Sequence, residues 1–379
     1  MRLSRREMLG AATALAGAAG AGAPASAKAM AGTRRGGLDE MIVIDGNSAV
    51  IAIHRPGQPH DAPDAEMIRS IGASGLTAIS MTIGQGTDGD RFGRVIQKIA
   101  GYGEKIAAAS DTLMRIRTAA DIRTAKKTKR LGLIYNIQDT ALLDTDVARI
   151  ATLQQIGVRI VQLTYNRRNW VGDGGLEGND GGLSNFGHEV VRELNARNLL
   201  VDLSHGGSRL VRQAVEASSA PPVISHAGCR ALVDLPRNVG DAEMRLLAEH
   251  GGVFGVYFMP FLSTTPPATT ADVVRHIEHA FNVCGEDHIG IGSDGTVPAM
   301  RFDEATLAAN RAEHAARVRA KIAAPGETPD GTYYVPELNE PDRMYRLADA
   351  LARRGWPAAR IEKLMGANFL RVFGEAWGG

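Results

Sequence analysis

Cysteine is nearly missing from this chain, which holds two in 379 residues, Cys229 and Cys284. That excludes a disulfide-stapled scaffold, and neither residue stands in the CxxC or CxH spacing of a structural zinc site. A chain of this length needs no staple, so two buried free thiols are expected. Excess charge is missing as well. Lys and Arg number 43 against 42 Asp and Glu, which leaves no electrostatic footprint for nucleic acid. The basic run Lys126-Lys127-Thr128-Lys129-Arg130 has no aromatic residues interleaved with it and reads as a solvated helix end that complements the macrodipole. Beyond residue 31 nothing is apolar for the eighteen or more residues that a membrane span needs. A G-x-S-x-G elbow is also lacking, which removes the usual serine hydrolase.

What is present is apolar content, 44% of the chain, enough for a large core. The first 31 residues, MRLSRREMLGAATALAGAAGAGAPASAKAMA, stand apart. They combine a basic start, an alanine, leucine and glycine run, and several Ala-x-Ala options, which is the layout of an export signal. Arg5-Arg6, with Ser4 before and Glu7, Met8 and Leu9 after, resembles the twin-arginine signature, so a periplasmic location is expected. Residues 32–379 read as a single domain.

Apolar runs then recur at regular intervals. Strands are expected near Met41 to Ile44, Leu76 to Ile83, Leu131 to Ile137, Ile160 to Thr164, Leu199 to Leu203, Val223 to Ser225, Val253 to Phe258 and Ile289 to Gly292. Helical periodicity fills the gaps, as at Arg91 to Ile106, Ser184 to Arg197 and Thr270 to Val283, and several helices open on Ser, Thr or Asp caps. Near-continuous hydrophobic strands alternating with helices predict an α/β chain with its parallel sheet buried on both faces, closed as a (β/α)8 TIM barrel. Extra helices are expected at the carboxyl end, from Glu304 to Ile322 and Asp342 to Arg354, with a loop at Pro325 to Glu337 and a tail that packs back.

In such a barrel, function gathers at the carboxyl ends of the strands. Those ends deliver Asp45-Gly46-Asn47-Ser48, Gln138-Asp139, Tyr165-Asn166, His205, His226 and Asp294. Two imidazoles at matching strand ends, with an aspartate two strands on, suggest a metal or acid-base site. The spacing G-x-G-x-x-G occurs twice, at Gly84 to Gly89 and Gly290 to Gly295. Turn glycines explain both, and a nicotinamide enzyme on the first is a distant reading.

The strand-end motifs resemble the renal, or membrane, dipeptidase family of zinc peptidases. The resemblance rests on Gly182-Leu183-Ser184-Asn185-Phe186-Gly187, Val201-Asp202-Leu203-Ser204-His205, Val223-Ile224-Ser225-His226, Arg237-Asn238-Val239, Ile289-Gly290-Ile291-Gly292-Ser293-Asp294 and Asn368-Phe369-Leu370-Arg371-Val372-Phe373. It runs from about Met41 to the carboxyl terminus. It implies an amidohydrolase-like barrel with a binuclear zinc centre that cleaves dipeptides. His205 and His226 would then ligate one zinc, Asp294 would ligate the other and act as acid-base group, and Arg237 would hold the substrate carboxylate.

The chain departs from that pattern in a directed way. Asp45-Gly46-Asn47-Ser48-Ala49 stands where the family has Asp-Gly-His-x-Asp, Gln138 where it has a bridging glutamate, and Tyr165 where it has a substrate-facing histidine. Two divalent ions about 3.5 Å apart repel by roughly 19 kcal/mol at an effective dielectric of about 20, and neutral Gln138 cannot offset this. The expectation is therefore a divergent, one-zinc hydrolase of a dipeptide or similar small amide. Its metal ligands would come from His205, His226, Asp294 and Gln138, with Asp139 an alternative carboxylate. Asp294 and Tyr165 are the expected catalytic residues, and Arg237, Tyr165 and Asn47 the expected substrate contacts. The alternatives are a periplasmic binding protein without hydrolysis and a Cα epimerase using Tyr165. The expected partners are the small substrate and a second copy of the chain in a homodimer, with no nucleic acid.

Overall fold

Strand formation follows the apolar runs closely enough to build a ring. In the computed structural model, residues 37–49, 64–84, 91–329 and 334–378 are described. The export-type segment 1–31, residues 85–89 of the first glycine motif and residues 330–333 of the late loop lie outside them. The strands are β1 (Ile44–Ala49), β2 (Ala78–Gly84), β3 (Leu113–Arg115), β4 (Leu131–Ile137), β5 (Val158–Gln162), β6 (Leu200–Asp202), β7 (Val223–Cys229), β8 (Asn238–Val239), β9 (Val253–Val256), β10 (Ile289–Ile291) and β11 (Gly295–Thr296). They pair in parallel in the order β10-β9-β7-β6-β5-β4-β2-β1-β11, with β3 beside β4 and β8 beside β7. Because β10 and β11 are two halves of one stretch of chain, pairing with β9 on one side and β1 on the other closes the sheet into a barrel.

Two expectations shift. The first strand is not Met41 to Ile44 but Ile44–Ala49, so Asp45 and Asn47 lie within it. Polarity does not end this strand because the polar side chains find partners inside the ring: Asp45 accepts from the Ser293 amide at 2.7 Å and from its hydroxyl at 2.5 Å. The short strand Leu113–Arg115 is added before β4, while the basic run closes the helix Ala119–Thr128 as expected, with Lys129 in the left-handed conformation that stops it.

Register is interrupted where the chemistry lies. On β1, Asp45 pairs with Ile79 and Ser48 with Met81, and on β7, Ile224 pairs with Phe254 and Ala227 with Val256. Each shift inserts one residue, a bulge that re-aims the side chains at Gly46-Asn47 and Ser225-His226. The second bulge turns the Ser225 carbonyl inward. A Cβ on Gly255 or Gly292 would lie within 2.0 or 1.9 Å of that oxygen, so only glycine fits there. The second glycine motif is thus a packing feature of β10 rather than a turn or a phosphate loop.

The tail does pack back. The helix Asn368–Trp377 drives the fully buried Phe369 ring into the barrel floor, where a Cβ on Gly46 or Gly290 would meet the ring at 2.6 or 2.5 Å. Phe369 joins Ile44, Ala78, Ile134, Ile160, Leu200, Val223 and Val253 in one apolar cluster. Truncating a buried phenylalanine of this kind costs about 3–5 kcal/mol. Both cysteines are buried free thiols, as expected. No helix among the described residues is long and apolar enough to cross a membrane.

Candidate active site

The barrel rim brings together His205, His226, Asp294, Arg237, Tyr165 and Asn47. His205 follows β6, His226 lies in the β7 bulge, Arg237 precedes β8, and Asp294 links β10 to β11. Asn166, His205 and Asp294 all have left-handed backbone, at φ 60°, 63° and 57°. Non-glycine residues rarely adopt it, and each instance costs on the order of 1–3 kcal/mol that the surrounding structure must absorb.

The imidazoles are fixed by their far nitrogens. His205 Nδ1 lies 2.6 Å from Asn166 Oδ1, while the Asn166 amide nitrogen donates to the Ile322 carbonyl at 2.8 Å. The asparagine oxygen is thereby the acceptor, and His205 donates from Nδ1. Ser225 gives its hydroxyl proton to Asp202 at 2.5 Å, so its oxygen receives His226 Nδ1–H at 2.8 Å. Asp202 also takes the Ser204 hydroxyl at 2.7 Å. With Asp202 ionised, these tautomers leave both Nε2 atoms with free electron pairs, and they face each other across 3.0 Å. Two lone pairs that face each other form a donor set that one cation could share. Burial first, and then the Arg237 charge, push both imidazoles well below their usual pKa, so at neutral pH they are neutral and competent as ligands.

The rest of the rim is less rich in ligands. Among the described residues no group of three His, Cys, Asp or Glu side chains is placed to hold a metal ion. Asn47 instead fills the neighbouring space with hydrogen bonds. Its amide nitrogen donates to Asp294 Oδ1 at 2.7 Å, and its oxygen accepts from Thr82 and Asn136, each at 3.4 Å. Protein surrounds Asp294, yet part of its surface stays open to the rim. Burial raises its pKa to about 6 against the opposing pull of Arg237. Arg237 is 5% exposed, packs over the Tyr257 ring and keeps a buried Nη2 without a partner. Gln138 lies just past β4 with its backbone carbonyl taken by Gln162 at 2.7 Å.

Asp139 is committed elsewhere. Its carboxylate caps the turn Thr140–Leu143 by accepting from Ala141 N at 2.9 Å, and it takes the Asn169 amide at 2.7 Å. Burial raises its pKa from 3.8 to about 6. A carboxyl raised on folding contributes stability that is complete below its unfolded pKa and is lost as pH climbs through the folded one. Asp139→Asn should therefore raise the Tm at pH 8 by the equivalent of up to ~3 kcal/mol and leave it unchanged near pH 3.5. Melting curves at the two pH values check this; equal shifts at both would contradict it.

Sequence reasoning missed the residues that hold this site in place. Asp202, Ser204 and Ser225 stood inside quoted motifs without a role. Arg317 had no signal at all, since its partner Tyr165 is remote in sequence and its helix, Glu304–Arg319, reads as a surface helix. Arg317 Nη1 donates to Tyr165 Oη at 3.0 Å, and the Tyr165 ring stacks on His205 with centroids 4.3 Å apart.

Fold and rim together define a hydrolase barrel of the amidohydrolase kind. The chain belongs to the membrane dipeptidase family, peptidase family M19, whose pattern it matches over residues 40–306 and 308–377. It is thus a metallodipeptidase-like hydrolase. An amidohydrolase from Pseudomonas aeruginosa superposes with a TM-score of 0.77 at 30% identity, covering 90% of this chain and 98% of that one. A Klebsiella pneumoniae protein described as uncharacterized, from the pqqA 5' region, is 28% identical over 76% of this chain and 98% of its own. Dipeptidase 3 of Rattus norvegicus is 28% identical over 69% of this chain and 48% of its own, so the chain spans about half of that relative.

Proposed function

We propose that this protein hydrolyses a dipeptide or a similar small amide with a single zinc ion held by His205 and His226. The observation that carries the reading is the facing pair of free Nε2 atoms 3.0 Å apart, each ring locked from behind by Asn166 or by the Asp202-Ser225 relay. Orienting partners of this kind fix the tautomer of metal-binding histidines. Two neutral imidazoles fit one ion, and the neutral side chains Asn47 and Gln138 favour no second. When bound, zinc would supply Lewis acidity to the amide carbonyl and to a water molecule.

The chain's own groups do the remaining work. Asp294 takes a proton from the water and passes it to the leaving amine nitrogen, and a pKa of about 6 suits both halves of that exchange. Asn47 anchors Asp294 Oδ1, which leaves Oδ2 for the proton. Arg237, with its unpartnered Nη2, receives the terminal carboxylate of the substrate. Gln138 offers a neutral oxygen as a third ligand. Export by the twin-arginine-type segment would place the reaction in the periplasm.

A panel of L,L- and L,D-dipeptides assayed with zinc and with a chelator tests the reading. Free dipeptides should be cleaved and their carboxyl-amidated forms cleaved at least ~100-fold more slowly. Arg237→Met should abolish that preference. Binding of free dipeptides without cleavage in zinc-loaded protein would replace the hydrolase by a binding protein.

A further inference from the structure

Arg317 lies at the end of a helix outside the barrel wall, yet it reaches the rim. It donates from Nη1 to the Tyr165 phenol oxygen at 3.0 Å, and a guanidinium has no acceptor with which to reverse that bond. The Tyr165 oxygen is therefore an acceptor there, and its own O–H proton is left to point at another partner. Arg317 is itself clamped, with Nε on Glu327 Oε2 at 2.9 Å and Nη2 on Glu327 Oε1 at 2.7 Å. The turn after its helix is bolted to the residues beside Tyr165, through Asn166 on the Ile322 carbonyl and Arg167 on the Lys321 carbonyl. The Tyr165 ring also stacks on His205, and the Arg317 guanidinium carbon lies 5.7 Å from its centroid. The Arg317 charge is felt at both His205 and Asp294, which puts it within electrostatic reach of the candidate reacting groups.

We infer that Arg317 is a positioning residue that makes Tyr165 a hydrogen-bond donor to the scissile carbonyl oxygen as that oxygen gains negative charge. This rests on the hydrolase reading above. In the step concerned, the water oxygen bonds to the carbonyl carbon and its proton goes to Asp294. The carbonyl π pair moves onto oxygen, where the Tyr165 O–H meets it without transferring its proton. The pair then returns, the C–N bond breaks, and the nitrogen takes the proton from Asp294, giving a carboxylic acid and an amine. Donors aimed at developing charge are each worth on the order of 10²–10³ in rate. Such a donor works only if its direction is fixed, and Arg317 fixes it.

Tyr165→Phe, Arg317→Met and the double variant, all zinc-loaded, should be measured for kcat and KM on a cleaved dipeptide. Calorimetry with a phosphinate isostere of an alanine dipeptide should be run on zinc-loaded and metal-free protein. Tyr165→Phe and Arg317→Met should each lower kcat about 100-fold with KM changed less than ~3-fold, and the double variant should fall no further than about the worse single. Phosphinate binding should weaken by a similar factor, while binding of the amine product, alanine, stays the same. Arg317→Lys, which keeps the charge but not the fork, should recover only part of the loss, and it stands in if Arg317→Met does not fold. Unchanged kcat in Tyr165→Phe, or additive losses in the double variant, would overturn the inference. If wild-type protein turns over no dipeptide, the hydrolase reading fails instead. The phosphinate affinities of the same variants then decide the donor pair separately, and equal affinities overturn it.

Discussion

Zinc-exchanged protein should carry about one ion per chain, and His226→Ala or His205→Ala should carry less than about a tenth. The argument starts from the ring nitrogens. Each imidazole is bound through Nδ1 to a partner that fixes the proton there, so neither ring can turn its other nitrogen to a substitute ligand. Removing one ring leaves a single imidazole and no carboxylate cluster among the described residues, and such a site does not hold zinc at micromolar metal. Turnover should fall by at least ~10³-fold with the metal. A second ion beside Asn47, Ala49 and Gln138, which are uncharged, would have Asp294 as its charged neighbour there, against a repulsion of roughly 19 kcal/mol for ions about 3.5 Å apart. Elemental analysis of dialysed protein decides the matter. Two ions per chain would show that neutral ligands support a binuclear centre, and none would favour the binding-protein alternative.

Asp294→Asn should lower kcat by ~10³-fold while retaining the zinc. Asparagine keeps the shape and can still meet the Asn47 amide through its oxygen, but it cannot accept the proton of the water. General acid-base catalysis contributes about 10²–10⁴-fold, and here one carboxylate performs both transfers. Its raised pKa comes mainly from burial, so the group holds a proton firmly enough to receive it and loosely enough to pass it on. Loss of zinc together with activity would reassign Asp294 from proton carrier to ligand. Paired kcat and metal measurements on one preparation separate the two.

The ring of parallel strands was legible because most strand positions are buried and the strands read as near-continuous apolar runs. The exception is instructive. β1 runs through Asp45 and Asn47, polar residues that read as a strand end until Ser293, Asp294 and Asn136 are brought beside them. His205, His226, Asp294 and Arg237 stand out as candidates from their places at strand ends and from their motifs. The residues that orient them were not, since Arg317, Asn166 and Asp202 act through partners that are close only after folding. The glycines at 290 and 292 illustrate the same limit. Their spacing mimicked a phosphate loop, whereas their reason is the Phe369 ring and the Ser225 carbonyl.

The ring of Phe369 ties the candidate active site to the order in which the chain is made. It presses on Gly46 in the first strand, and at 3.3 Å it would meet a Cβ on Gly255, the residue that makes room for the bulge carrying His226. A ribosome delivers β1 well before the Phe369 helix, so the floor stays open until that helix has been made. The strands that carry Gly46, Gly255 and Gly290 gain their final packing only once that ring is in place.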